Sequence, residues 1–426
     1  MNQTTQRKTD AGLDFASKVE SKPKYYFIQT FGCQANVRDS QVMAGTLDAL
    51  GFIQTQDHRT ADVLIINTCS VRQKSEDKVY GWGIKLGVGL SSRNWYKKRD
   101  EQVVFVTGCM VGSAKGDRTR VSLEKLKEKL SWADYLLAPN EEIQIPSILV
   151  KEGLIDEWAT KAIGKEVVNN TAGSSSLTAD PHMHNETNWA YINISTGCDN
   201  FCTFCVVPYA RGEEKSRTKE EILHEVKHLA SRGFKNIMLV GQNVNSWGLD
   251  RETKFKLRAG SEHKIPFADL LRSIHEIDEV EKINFISSNP FDFTKDLIET
   301  LDLPKITRYL HFAVQSGNND VLQRMNRRHT IEDFKSLVWE IKKRVPDMEF
   351  GTDIIVGFPG ETEEQFMDTV KLFEELPFKN AYISIYSSRE GTSAQKFMKD
   401  DVSIKEKKRR HAYLMDVWTS RNPISS

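Results

Sequence analysis

The stretch that decides the fold runs from Ser195 to Arg211 and reads STGCDNFCTFCVVPYAR. Its cysteines, Cys198, Cys202 and Cys205, have the spacing C-x3-C-x2-C, so three thiolates lie within eight residues of chain. Cysteine thiolates are the usual ligands of iron-sulfur clusters. A cluster of four irons offers four ligand positions, and this loop fills three of them. The spacing therefore predicts a 4Fe-4S cluster with one open iron, and an open position is typical of a reactive metal site.

Two simpler readings of this triplet are less favourable. A tetrahedral zinc site needs a fourth cysteine or histidine nearby, and between Asn188 and His224 the sequence offers only these three cysteines. A disulfide would leave one of the three thiols unpaired. Nothing in the sequence indicates the oxidising compartment in which disulfides persist.

Length and charge restrict the class of protein. A chain of 426 residues is long for a single core, so two domains with tails are expected. Lys and Arg together number 59, as do Asp and Glu, so no overall positive field attracts nucleic acid, and any RNA contact must use local patches. The sequence has no apolar run of membrane-spanning length and no signal-peptide pattern at its start. We therefore predict a cytoplasmic protein with no membrane partner.

A second set of cysteines lies in the first half of the chain. Residues 24–164 alternate strands and helices, which predicts an α/β domain with a doubly wound parallel sheet. Cys33, Cys69 and Cys109 each follow a predicted strand, and the carboxyl ends of parallel strands share one edge of the sheet. We expect these three to converge there. The alternative is three unrelated cysteines, since free cysteine is often a small buried apolar residue. The strands are predicted at Tyr25–Thr30, Val63–Ile66, Val103–Val106 and Tyr135–Ala138.

The second half of the chain predicts an open barrel. Residues 1–23 lack apolar periodicity and are expected to be a disordered extension, and the polar stretch 165–188 is expected to be a linker. Residues 189–395 then show six strand patterns separated by helical ones, an open (β/α)6 arrangement related to the eight-stranded barrel. Residues 396–426 form a basic helical tail. The six strands are predicted at Tyr191–Ile194, Ile237–Val240, Ile283–Ile286, Tyr309–Phe312, Thr352–Val356 and Ala381–Ile385.

With these residues in place, the chain resembles the radical S-adenosylmethionine (SAM) superfamily, in which SAM binds the open iron and is cleaved reductively to a radical. The segment 197–212 is similar to the methylthiotransferases, as are FGCQAN at 31–36, NTCSVR at 67–72 and GCM at 108–110. GQNVNSWG at 241–248 is similar to the branch that modifies isopentenyladenosine in tRNA. The branches acting on threonylcarbamoyladenosine or on a ribosomal-protein aspartate remain alternatives, and a non-catalytic iron-sulfur or RNA-binding protein is a further one.

The resemblance implies two 4Fe-4S clusters, SAM and a tRNA substrate methylthiolated at carbon 2 of the adenine. Cys198, Cys202 and Cys205 would hold the SAM cluster, and Cys33, Cys69 and Cys109 the auxiliary cluster. An electron donor such as a flavodoxin or ferredoxin is implied, and the sulfur source is left open. Members of this family usually continue into a small β-barrel that binds tRNA, which we expect to be absent here.

Five further residues are candidates for the site. We predict that Gln242, Ser288 and Gln315 bind SAM, because barrels of this kind bind ligands on the loops that follow the strands. Tyr209 and Arg211 are predicted to face RNA through stacking and phosphate contact. For each of the five, the alternative is a polar group that only caps the barrel mouth.

Overall fold

In the computed structural model, the described residues are 22–70, 73–86, 102–158, 189–257 and 260–422. The predicted linker at 165–188 and all but the last two residues of the predicted extension at 1–23 lie outside these ranges. Within them, no helix is both long enough and apolar enough to span a membrane.

The N-terminal half is a five-stranded parallel sheet in the order β2-β1-β3-β4-β5. The central strands β3 and β4 are buried along their whole length, as expected for a sheet covered on both faces. Alternate residues point to opposite faces: Leu64 packs in one core cluster with Trp82, and Ile65 packs in the other with Leu47. The predicted doubly wound sheet is confirmed. Its strands are β1 (Tyr25–Thr30), β2 (Ile53–Gln54), β3 (Val63–Thr68), β4 (Val103–Gly108) and β5 (Tyr135–Leu137).

The helices of this half pack on the two faces of the sheet, and those that follow β1, β3 and β4 begin within a few residues of the strand ends. The edge strand β2 was not predicted, because a strand of two residues is too short to show an alternating apolar pattern. The helices are α1 (Gln34–Ala49), α2 (Gln73–Lys85), α3 (Cys109–Lys115), α4 (Leu123–Lys129) and α5 (Ile145–Lys151).

The second half is the open six-stranded arrangement that the sequence predicts. β6, β9 and β10 form one parallel sheet and β11, β12 and β13 another, and parallel bridges such as Ser288–Phe312 join the two. The strands β7 and β8 pair in antiparallel fashion. The strands are β6 (Trp189–Asn193), β7 (Ser195–Thr196), β8 (Lys215–Ser216), β9 (Asn236–Val240), β10 (Lys282–Phe285), β11 (Tyr309–Gln315), β12 (Glu349–Val356) and β13 (Phe378–Ile385).

Helices separate the strands and pack outside them. Three of them begin with capping boxes, Thr218 with Glu221, Thr330 with Asp333 and Thr362 with Gln365. The helices are α6 (Val207–Ala210), α7 (Lys219–Ser231), α8 (Arg251–Lys256), α9 (Pro266–His275), α10 (Lys295–Thr300), α11 (Asn319–Arg324), α12 (Ile331–Arg344), α13 (Glu363–Glu375), α14 (Ser393–Phe397) and α15 (Ile404–Arg421).

The last helix, α15, packs on the barrel rather than standing apart as a tail. Its Leu414 is fully buried in the barrel core, and the indole nitrogen of Trp418 donates to the backbone oxygen of Phe378 at 2.9 Å. Arg410 on the same helix is buried and forms an ion pair with Glu361 at 2.8 Å. Part of the basic face predicted from the sequence is therefore internal and covers the last strand.

We expect Leu414→Ala to destabilise the barrel by about 2 to 5 kcal/mol, because the substitution leaves a cavity in the core. Ile404→Ala, on the same helix at a position that is 62% exposed, is the control and should change stability by about 0.5 kcal/mol or less. Denaturant unfolding of both variants checks this. Equal effects would mean that α15 does not support the barrel through its buried face.

Candidate active site

The first cysteine set lies at one edge of the N-terminal sheet. Cys33 lies between β1 and α1, Cys69 directly follows β3, and Cys109 is the first residue of α3, directly after β4. Cys69 and Cys109 are buried, and Cys33 is exposed. The three parallel strands β1, β3 and β4 are neighbours, so they bring the cysteines to adjacent loops at their carboxyl ends.

Side-chain amides fasten these loops to one another. Asn36 Nδ2 donates to Asn67 Oδ1 at 2.9 Å and to the Thr68 backbone oxygen at 3.1 Å, while Asn67 Nδ2 donates to the Asn36 backbone oxygen at 2.8 Å. The Thr68 hydroxyl donates to the Thr107 backbone oxygen at 2.6 Å. Gly108 has φ +92, and a Cβ there would overlap the Thr68 carbonyl. The three loops are therefore held in a fixed relation.

The second cysteine set lies in the loop between β7 and α6. Gly197 has φ +73, and a side chain there would overlap the backbone oxygen of Glu213. Thr203 lies between Cys202 and Cys205, and its amide donates to the Met325 backbone oxygen at 3.1 Å. Its hydroxyl donates to the Arg324 backbone oxygen at 2.9 Å. The loop that carries the triplet is thus fixed to the end of α11.

Arg327 is a site residue that the sequence did not reveal. Its Nη1 donates to Cys202 Sγ at 3.3 Å, and its Nη2 donates to Asn289 Oδ1 at 2.8 Å. The guanidinium lies 5.2 Å from the ring centroid of Phe291. Arginine supplies several fixed donors, so one side chain can hold both a thiolate and the neighbouring strand-end loop. No motif marked it, because the Arg327–Cys202 contact joins residues 125 positions apart.

The two cysteine sets face each other across the domain boundary. Burial first, and then the negative charge of Cys202, raises the pKa of Cys205 to about 12, and Cys109 adds a smaller contribution. Burial also raises the pKa of Cys109, while Arg211 lowers it and Cys33 raises it. Charges act on each other strongly only at short range. Cys109 of the N-terminal domain thus acts on Cys205 of the barrel, in agreement with the contact between helices α3 and α6.

A close helix contact brings the two domains together at this point. In α3, a side chain at Gly112 would overlap the backbone oxygen of Ala210 in α6. Gly112 is the third residue after Cys109, and Ala210 is the fifth after Cys205. Ion pairs surround the contact: Arg118–Asp199 at 2.8 Å, Arg211–Asp39 at 2.6 Å and Arg38–Glu225 at 2.7 Å.

The predicted SAM residues lie at the barrel mouth. Gln242 is half-buried just after β9, Ser288 is 1% exposed, and Gln315 ends β11 with φ +79. The Ser288 hydroxyl and the Asn200 amide are buried, and neither finds a hydrogen-bond partner among the described residues. Such atoms are costly unless something bonds to them. They suit a polar ligand, and SAM binding by Gln242, Ser288 and Gln315 stays a prediction.

The residues predicted to face RNA lie deeper than expected. Tyr209 is half-buried on α6. Arg211 is 8% exposed and paired with Asp39, so a phosphate could reach it only if that ion pair opened. A surface phosphate contact by Arg211 does not fit this position.

The isopentenyladenosine motif at 241–248 is also largely internal. Asn243 Nδ2 donates to Asp292 Oδ2 at 2.9 Å, Asn245 Nδ2 donates to the Asn289 backbone oxygen at 2.8 Å, and the Ser246 hydroxyl bonds to Glu214. The motif therefore builds the wall of the barrel mouth.

Both cysteine sets fit iron-sulfur clusters better than single metal ions. Throughout the described ranges, no three His, Cys, Asp or Glu side chains lie close enough to share one ion. A cluster differs because each thiolate binds a separate iron. Beside the positive irons, these thiols would be held as thiolates.

Comparisons with known proteins agree with this geometry. Residues 25–128 match the family described as Uncharacterized protein family UPF0004, and residues 192–373 match the Radical SAM superfamily. A tRNA-2-methylthio-N(6)-dimethylallyladenosine synthase of Thermoanaerobacter sp. (strain X514) is 37% identical over 415 residues, which cover 97% of this chain and 81% of that protein. The protein of the same name from Clostridium botulinum (strain Loch Maree / Type A3) is 39% identical over 395 residues, covering 92% and 81%. The chain belongs to the tRNA-2-methylthio-N(6)-dimethylallyladenosine synthase family.

This membership confirms the predicted radical SAM methylthiotransferase family and its isopentenyladenosine branch, since dimethylallyl and isopentenyl name the same group here. Members of this family use SAM and two 4Fe-4S clusters, so the predicted cofactors are confirmed as well. Among solved structures, a radical SAM methyltransferase, TsrM, from Kitasatospora setae is similar with a TM-score of 0.55 at 13% identity, covering 87% of this chain and 75% of that one. That likeness supports the fold alone.

We expect about eight irons per chain in anaerobically purified protein, and about four after replacing either cysteine set with alanine. The physical reason is that each set supplies the thiolates of one cluster. Iron and sulfide assays on the wild type and both triple variants measure this, with circular dichroism to verify folding. A folded Cys33, Cys69, Cys109 variant that kept all its iron would refute the second site.

Gly112→Ala tests the helix contact. The new methyl group meets the Ala210 backbone oxygen and the Pro139 side chain, and overpacking of this kind costs about 1 to 3 kcal/mol. Gly81→Ala is the matched control: it lies within α2, has nothing within 4 Å of the added methyl, and should gain about 0.5 to 1 kcal/mol of helix stability. Thermal unfolding should therefore shift in opposite directions for the two variants. A shift in the same direction would show that the helices tolerate separation.

Proposed function

We propose that this protein transfers a methylthio group to carbon 2 of N6-isopentenyladenosine beside the anticodon of tRNA. The observation that carries the proposal is the contact between α3, which begins at Cys109, and α6, which follows Cys205, in a chain of this family. Methylthiolation requires both sulfur delivery and activation of a carbon–hydrogen bond. Two adjacent ligand sets on separate domains match that double requirement.

Side-chain acids and bases cannot activate the carbon–hydrogen bond at carbon 2 of the adenine. When bound, the clusters and SAM supply the radical and sulfur chemistry. The protein's own residues hold the ligand sets at a fixed separation and exclude water. Arg327 holds the Cys202 loop against the strand ends, and the unpartnered Ser288 hydroxyl and Asn200 amide offer bonds to a polar ligand at the mouth. Burial of Cys69, Cys109 and Cys198 keeps water from the ligand positions.

The partners follow from the same assignment. The substrate is tRNA, reached through local contacts, because the chain has no net charge. Tyr209, half-buried on α6 beside the Cys205 loop, remains the proposed stacking residue. A low-potential electron donor such as a flavodoxin or ferredoxin would feed the SAM cluster. We place the enzyme in the cytoplasm, where tRNA is modified. The threonylcarbamoyladenosine and ribosomal-protein branches are not favoured by the relatives' names.

The cysteine variants separate the two halves of this chemistry. We expect the Cys33, Cys69, Cys109 to alanine variant to release 5′-deoxyadenosine from SAM after reduction but to form no 2-methylthio nucleoside. The Cys198, Cys202, Cys205 variant should do neither. Chromatography of the nucleoside and of the SAM fragments measures both products, and tRNA from cells lacking the gene is the substrate.

Complementation provides the check in the cell. The wild-type gene should restore 2-methylthio-N6-isopentenyladenosine to such cells, as seen by nucleoside mass spectrometry. Restoration of a threonylcarbamoyladenosine product instead would assign the chain to the other tRNA branch. Absence of any 5′-deoxyadenosine from reduced wild-type protein would favour a non-catalytic role.

A further inference from the structure

We infer that the segment 386–394, which follows β13, is a bridge between the two cysteine sets, and that Arg389 is its positioning residue. The bridge holds the loop of Cys69 at a fixed place relative to the loop that carries the SAM-cluster cysteines. The Gly112 contact joins the sets elsewhere, at the helices next to Cys109 and Cys205. This inference rests on the cluster assignment of the proposed function.

Arg389 fastens one end of the bridge to the N-terminal domain. Its side chain is only 5% exposed, and its Nη2 donates to the backbone oxygen of Ser70 at 2.7 Å. Ser70 directly follows Cys69. The same guanidinium forms an ion pair with Glu76 at 2.5 Å and donates to Gln73, and both partners lie on α2. One buried side chain from the barrel thus holds the residue after Cys69 and the helix that comes next.

The other end of the bridge lies on the loop of the SAM-cluster cysteines. The amide of Ala394 donates to the backbone oxygen of Thr203, a residue of that loop, at 2.8 Å. Between the two ends, the Thr392 hydroxyl donates to the Arg389 backbone oxygen at 2.7 Å and caps α14. Arg389 and Ala394 are five positions apart. Because the residues between them form a hydrogen-bonded turn, the distance between the two ends is short and fixed.

A third contact ties the bridge to the helix that Cys109 begins. Arg120, which follows α3, donates from Nη1 to the backbone oxygen of Glu390 at 2.6 Å. Its Nε donates to the Ser113 hydroxyl at 3.2 Å, and that hydroxyl donates to the Cys109 backbone oxygen at 2.9 Å. Gly391 has φ +81, and a Cβ there would lie 2.6 Å from Arg120 Cβ. The bridge therefore packs beside both buried cysteines of the N-terminal domain.

The charges at this contact explain what a substitution should change. Arg120 and Arg389 share the carboxylate of Glu76, and all three side chains are largely buried, where a charge needs a partner. In Arg389→Gln, Glu76 keeps Arg120 as its partner and the Gly112 contact is untouched, so the domains should stay docked. What is lost is the connection from the bridge to the residue after Cys69. The separation of the two cysteine sets should therefore change without unfolding.

Electron paramagnetic resonance of the reconstituted full chain measures that separation. A reduced 4Fe-4S cluster carries an unpaired electron, and two such centres broaden each other's signals more strongly the closer they lie. The doubly reduced wild type should differ from the sum of the spectra of the two triple-cysteine variants, each of which holds one cluster. Arg389→Gln should lose part of this broadening. A wild-type spectrum equal to the sum would overturn the inference, and so would wild-type broadening in Arg389→Gln.

Arg410→Gln is the matched control. Arg410 is similarly buried and also bonds one carboxylate oxygen and one backbone oxygen, both of Glu361, at 2.8 and 2.9 Å, but these contacts lie within the barrel. The broadening should remain as in the wild type. An equal loss in Arg410→Gln would show that a weakened barrel, and not the bridge, is responsible, and would overturn the inference.

Two further variants test the geometry of the bridge. Arg389→Lys keeps the charge but not the planar fork of donors, so it should retain more of the broadening than Arg389→Gln and less than the wild type. Gly391→Ala keeps every charge, but its methyl group meets Arg120 from a left-handed backbone, so it should also reduce the broadening. Wild-type broadening in Gly391→Ala would contradict the inference.

Iron content separates spacing from loss of the cluster. In the background lacking Cys198, Cys202 and Cys205, Arg389→Gln should keep its iron and the spectrum of the auxiliary cluster. Loss of that iron would mean that the bridge builds the auxiliary site instead of positioning it, and would overturn the inference. These measurements use no RNA. If the broadening falls as expected but the wild type does not methylthiolate tRNA, the proposed function fails and the bridge stands.

Discussion

The close approach of α3 and α6 is the constraint on which the arrangement of the site depends. A glycine lets one helix lie directly against the backbone of another, and Gly112 does so opposite Ala210. Because Gly112 is in the helix that Cys109 begins, and Ala210 is in the helix that follows Cys205, this one contact fixes the separation of the cysteine sets. A bulkier contact residue would hold the two cysteine sets farther apart, so the spacing is a property of backbone packing rather than of flexible side chains.

Buried ion pairs complete the docking of the two domains, and their role is orientation rather than strength. Arg38 and Arg217 both pair with Glu225, and all three are nearly inaccessible to water. Removing charges from water offsets most of the attraction between them, so such a cluster adds little net stability. Breaking it leaves an uncompensated charge and costs about 3 to 5 kcal/mol. Two apolar surfaces can slide against each other at little cost, but the charges of this cluster pair well in one docking geometry. The cluster therefore favours the relative position of the two domains that holds the cysteine sets opposite each other.

The sequence predicted the elements well and the contacts between them poorly. Runs such as Val63–Ile66 are local signals, and the cysteines that follow strands could be placed at one sheet edge by topology alone. The Arg211–Asp39 pair joins residues 172 positions apart, and such a contact leaves no trace in any local pattern. Arg211 was accordingly expected at the RNA surface, because an arginine beside an active-site loop has no sequence mark that distinguishes a buried ion pair from a phosphate contact. The packing of α15 on β13 could not be predicted for the same reason, and the sequence predicted only a basic helical tail.

The motif at 241–248 shows how a sequence can mark a substrate branch without exposing its side chains. Ser246 of the motif bonds to Glu214, which follows the SAM-cluster loop and forms an ion pair with the buried Lys254. Lys254 lowers the pKa of Cys198 and Glu214 raises it, so the pair adds little net field at the cysteine, whose pKa is raised mainly by burial. The network therefore acts through shape. It ties the loop after β9 to the loop that carries the cysteines, and any change in the motif must move the wall of the mouth relative to the cluster. Substrate choice and cluster position are then linked by the same hydrogen bonds.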